Sequence, residues 1–87
     1  MVIDSNISIN NNRLWDSLME MAKIGPGVAG GNNRQTLTSD DGIGRELLHK
    51  WCKEAGMEMK VDQLGSMFFK RKGEQNDLLP VVIGSHL

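Results

Sequence analysis

Apolar residues recur along this chain with two different periods. Leu14, Leu18 and Met21 lie three or four positions apart, with Trp15 and Ala22 on the same side and Asp16, Glu20 and Lys23 opposite. That spacing predicts an amphipathic helix over residues 12–24, capped by Asn10, Asn11 or Asn12. A second helix is expected to start at Thr38 or Ser39. Asp40 and Asp41 then fall in its first turn, where the helix dipole favours negative charge. Its expected apolar face is Ile43, Leu47, Leu48, Trp51, Cys52 and Ala55, and its polar face is Arg45, Glu46, His49 and Lys53. Gly56 suits the position just past its end.

Beyond Gly56 the period falls to two. Met57, Met59 and Val61 alternate with Glu58, Lys60 and Asp62, which predicts a half-covered strand. Leu64-Gly65-Ser66 is a turn, residues 67–71 return as a second strand, and residues 72–77 form a polar turn. Residues 79–83 are apolar at nearly every position, with Pro80 tolerated only at the start of a strand. Such a strand belongs in the middle of a sheet, buried on both faces. Two helices and a hairpin cannot supply the layers and edges it needs. The expected fold class is therefore α/β. Residues 1–87 would be the N-terminal part of a larger domain, its remaining layers supplied by further sequence.

The connection between the helices, residues 25–33, is Gly-Pro-Gly-Val-Ala-Gly-Gly-Asn-Asn. Gly25 is placed to end the first helix, and Pro26 prevents its continuation. Residues 1–12 are polar and are expected to fray.

Composition narrows the class. Apolar residues make up 39% of the 87, which suits a globular chain. Ten basic residues against eleven acidic give a formal charge of -1, and no nucleic-acid or membrane partner is expected. Cys52 is the only cysteine, so no internal disulfide forms, and a reducing, cytoplasmic location is expected. The first twelve residues lack the pattern of a secretory leader, and the apolar run over 78–83 is too short to span a bilayer.

Several features offer chemistry and lose it in context. Gly25-x-Gly27-x-x-Gly30 has the spacing of a dinucleotide fingerprint, but a helix precedes it and Pro26 interrupts it, so it reads as a connection. Lys70-Arg71-Lys72 is flanked by Glu74 and Asp77 and reads as a solvated strand end. His49 has Arg45 and Lys53 one turn away on either side, so it reads as a surface histidine, while Cys52 reads as a small hydrophobe. His86 differs by position. It follows the most apolar strand through Gly84 and Ser85, and ligands in open α/β sheets gather beyond the carboxyl ends of strands. Imidazole there is a candidate metal ligand, although spacing alone leaves the function open.

The segment Leu79-Pro80-Val81-Val82-Ile83-Gly84-Ser85-His86-Leu87 resembles the first metal-binding strand of a family of zinc-dependent amidases. These are the N-carbamoyl-L-amino-acid hydrolases, allantoate amidohydrolases and β-ureidopropionases, one branch of a two-metal aminoacylase-like superfamily. Arg13-Leu14-Trp15-Asp16-Ser17-Leu18 resembles the family's first helix. Gly30-Gly31-Asn32-Asn33-Arg34 with Leu37-Thr38 resembles its glycine loop and the stretch after it. Residues 51–56 and Val61-Asp62-Gln63-Leu64-Gly65-Ser66-Met67-Phe68 resemble its next helix and an Asp-x-x-Gly-Asn turn, with Ser66 in place of the Asn. Asn33 also departs from the small or β-branched residue common there. The shared order of these motifs is more specific than any one of them.

The resemblance implies a parent protein that hydrolyses carbon–nitrogen bonds of linear amides. N-carbamoyl amino acids, allantoate or ureido compounds would be its small-molecule substrates, attacked by water activated on two divalent metal ions, zinc or manganese. It makes His86 a ligand of one metal, and it places a bridging Asp two residues after His86 and a general-base Glu further on. It also implies a dimerisation domain outside these residues and a homodimeric parent. No catalytic residue would then lie within residues 1–87, and these residues alone would be inactive. Arg34 suits either a clamp for a substrate carboxylate or, as favoured here, a pin for the glycine loop. A related aminoacylase or dipeptidase, and a small non-catalytic α+β binding module, are the alternative readings. The nucleotide sequence downstream of codon 87 tests the choice. An Asp codon two positions after His86 is expected, and a stop codon directly after Leu87 in an intact gene contradicts the amidase reading.

Overall fold

The computed structural model describes residues 7–87. The polar end expected over 1–12 therefore lies partly outside the described residues. The elements in chain order are α1 (Asn11–Ala22), a short 3-10 turn (Val28–Gly30), α2 (Ser39–Glu54), β1 (Glu58–Val61) and β2 (Met67–Lys70). They fall into two units, Met1–Asp41 and Gly42–Leu87.

In the first unit α1 starts where an asparagine can cap it. The Asn10 side chain accepts from the Arg13 amide at 3.0 Å, satisfying one of the donors left over at a helix start. The helix ends two residues earlier than its hydrophobic pattern suggests. The Lys23 and Ile24 amides fold back onto the Glu20 and Met21 carbonyls, and Gly25 then adopts a φ of 67°. Leu14, Trp15 and Leu18 line one side of α1 as the period requires, and all three are exposed. The approach to α2 is tied by a reciprocal pair. The Asp41 amide donates to Thr38 Oγ1 at 3.3 Å, while Asp41 Oδ2 accepts from the Leu37 amide at 3.0 Å. This holds Leu37 at a φ of 67°, a conformation side-chain-bearing residues seldom take.

In the second unit β1 and β2 pair antiparallel, Glu58 opposite Lys70, Met59 opposite Phe69, Lys60 opposite Phe68 and Val61 opposite Met67. Met57, Met59, Met67 and Phe69 are half-buried, and Glu58, Lys60, Phe68 and Lys70 are exposed, so the predicted alternation holds except at Val61, which is 50% exposed. Asp62 closes the hairpin. Its Oδ1 accepts from the Leu64 and Ser66 amides, both at 2.9 Å, and its own amide donates to the Ser66 carbonyl at 3.1 Å. Gly65, at a φ of 84°, donates to the Asp62 carbonyl at 3.2 Å. A short acceptor side chain at the first turn position is what such a turn needs.

The expected apolar face of α2 is borne out in its middle and is joined by two residues expected on the polar face. Leu47, Leu48, Trp51 and Cys52 are half-buried while Ile43 and Ala55 are exposed; Gly44 is buried, and Arg45 and His49 are half-buried as well. The His49 ring lies 6.5 Å from that of Phe69, centre to centre, at an angle of 37°. Arg45 Nη2 donates to the Gly65 carbonyl at 2.7 Å. His49 is therefore not the plain surface histidine expected, and Arg45 does not stand on an outward face. The hairpin is short, and long side chains with polar tips cover it as readily as aliphatic ones.

The expected third strand requires a correction. Residues 79–83 belong to no strand or bridge among the described residues. Leu79, Val81, Val82 and Ile83 are 94%, 95%, 79% and 93% exposed, not buried at the centre of a sheet. A strand exists only through its partners, and an all-apolar one needs layers on both faces. The described part of this chain offers neither, and no hydrophobic side chain in it is buried.

Uncovered aliphatic side chains at this density drive association. The 87-residue chain is expected to self-associate at roughly 100 µM, within the range where such surface is sticky. The double variant Val82→Lys, Ile83→Lys should move it toward monomer in sedimentation velocity. A wild-type chain that stays monomeric would contradict this.

Candidate functional site

Residues 25–34 are tied together by a set of side-chain and backbone hydrogen bonds. The last carbonyls of a helix lack partners within it and carry the negative end of its dipole. Here Arg34 supplies both a donor and a positive charge. Its Nη1 donates to the Met21 carbonyl at 3.0 Å and to the Ile24 carbonyl at 2.8 Å. Asn32 Nδ2 donates to the same Ile24 carbonyl at 3.0 Å, and Asn32 Oδ1 accepts from the Arg34 amide at 3.1 Å. One asparagine thus joins the end of α1 to the arginine that caps it.

Between these anchors the backbone makes a narrow loop. The Asn33 amide donates to the Gly25 carbonyl at 2.7 Å and the Gly27 amide to the Gly31 carbonyl at 2.8 Å, bridging Pro26 and Asn32. At the tip Ala29 takes a φ of 54°. Gly25 is required at its position on two counts. Its φ of 67° disfavours a side chain, and a Cβ there would stand 3.0 Å from Arg34 Cα and Cβ. A shallow, open depression runs along the loop, lined by Pro26, Gly27, Val28, Gly31, Asn32 and Asn33. It presents no titratable side chain. Arg34 accordingly pins the glycine loop, the role favoured for it over a substrate clamp. Asn32 carries only a faint signal in the sequence, an Asx residue beside a glycine run.

His86 is exposed, just beyond the exposed apolar segment. Among the described residues no three His, Cys, Asp or Glu side chains lie close enough to hold a metal ion. One imidazole supplies one of the four ligands a zinc shell needs, so these residues by themselves do not fit a metal centre. Burial pushes the Cys52 thiol above its usual range, which keeps it protonated and poorly nucleophilic. No described helix is long and apolar enough to cross a membrane.

No protein-family model matches the chain. Curated relatives do. An N-carbamoyl-L-amino-acid amidohydrolase from Rhizobium meliloti is 67% identical over 82 residues, 94% of this chain and 20% of the relative. One from Geobacillus stearothermophilus is 32% identical over 79 residues, 91% of this chain and 19% of the relative. Among solved structures, a hydantoinase/carbamoylase family amidase from Burkholderia ambifaria superposes with a TM-score of 0.84 at 47% identity, covering 90% of this chain and 19% of that one. The chain spans about one fifth of the length of the relatives it matches. Over that fifth its sequence and local fold are similar to those of the hydantoinase/carbamoylase amidases, its two helices and hairpin matching the N-terminal part of the carbamoylase domain. Within that class the resemblance to the N-carbamoyl-L-amino-acid hydrolases, first drawn from short motifs, holds across nearly the whole chain.

The clasp is open to a direct test. Arg34→Ala should remove about 1–2 kcal/mol of local stability, seen as roughly 5–30-fold faster hydrogen exchange at the Asn33 amide. Gly25→Ala should act in the same direction, while the Asp62–Ser66 turn keeps its wild-type protection. Unchanged exchange at Asn33 in both variants would remove Arg34 as the pin of the loop.

Proposed function

We propose that residues 1–87 are the N-terminal part of the catalytic domain of an amidohydrolase that hydrolyses N-carbamoyl-L-amino acids, adding water across a carbon–nitrogen bond of the carbamoyl group. The observation that carries this is the 67% identity, over 94% of the chain, to a relative bearing that name. The 47%-identical amidase structure supports the same reading through the geometry of the helices and hairpin. Relatives described only as hydrolases share 40% and 28% identity, and they leave the reaction class unchanged.

Finer assignments rest on the motif around His86. His86 would give one imidazole to a metal site in the parent protein, with the remaining ligands and the general base lying outside these residues. A divalent ion of that kind supplies a Lewis acid and an activated water. The described residues do not complete its shell, so no catalytic step is assigned to them. What they do is local: Arg34 and Asn32 fix the end of α1, and Asp62 and Arg45 fix the hairpin. Residues 1–87 alone are inactive on this reading, and the parent is a cytoplasmic homodimer. Allantoate and other ureido compounds are the neighbouring substrate classes.

Release of free amino acid from an N-carbamoyl-L-amino acid tests the proposal. A protein of the relatives' length that begins with this sequence should turn the substrate over, and the 87-residue chain should not. In the long protein His86→Ala should lower the rate by on the order of 100-fold or more and reduce bound metal, since even residues that only support a ligand cost about 10–100-fold. Failure to hydrolyse any N-carbamoyl-L-amino acid would refute the activity. Full rate and full metal content in His86→Ala would refute the role of the histidine alone.

A further inference from the structure

We draw no further inference here: the strongest candidate, the exposed apolar segment over residues 79–83 that follows the basic stretch Lys70-Arg71-Lys72, carries nothing because nothing in the structure shows what covers it.

Discussion

A helix that ends in the open leaves carbonyls without partners and a negative pole without a counter-charge, and the first unit of this chain is organised around that constraint. Arg34 answers it from ten residues beyond Ile24, reaching the Met21 and Ile24 carbonyls at 3.0 and 2.8 Å. Everything between follows. The backbone must turn back sharply, so Gly25 sits at positive φ; it must approach itself closely, so glycines line both sides; and Asn32 ties the returning strand to the helix end. A glycine run that could be taken for a phosphate loop is the bend that lets an arginine reach back.

The second unit uses the same device with different residues. Asp62 gathers the amides of the turn and Arg45 holds the Gly65 carbonyl from α2. Polar side chains aimed at backbone groups hold both units locally, and no apolar side chain is buried among the described residues. Hydrogen bonds of this kind fix geometry more than they supply stability, because each replaces a bond to water. Burial of apolar surface is the larger source of stability, and here that surface is still exposed on α1 and over residues 79–83.

Local rules made α1, α2, the hairpin and its turn legible, since each is written in a period, a cap or an acceptor within a few residues. The Asn10 cap, the Asp62 turn and the alternation from Met57 to Lys60 needed no distant partner. Three features depend on what lies across from a residue. His49 and Arg45 looked outward from helical spacing alone and instead meet the hairpin at Phe69 and Gly65. Residues 79–83 looked like a central strand from composition, and the described part of the chain gives them no neighbour. Composition can say that a segment is suited to burial; only tertiary partners can bury it. The glycine loop was legible as a connection and Arg34 as its pin, while Asn32 was hidden because its role is to join two segments eight residues apart. His86 was singled out by its place after an apolar segment and by family resemblance.

Likeness to the amidases at 67% and 47% identity extends over both units. The central claim is that these ties, without a buried core, set the local geometry. Nitrogen-15 resonances of the Arg34 guanidinium test it most directly. A clasped guanidinium should rotate slowly and give resolved Nη1 and Nη2 signals in the cold, unlike those of solvent-exposed arginines. A single averaged signal matching a free arginine would contradict the account.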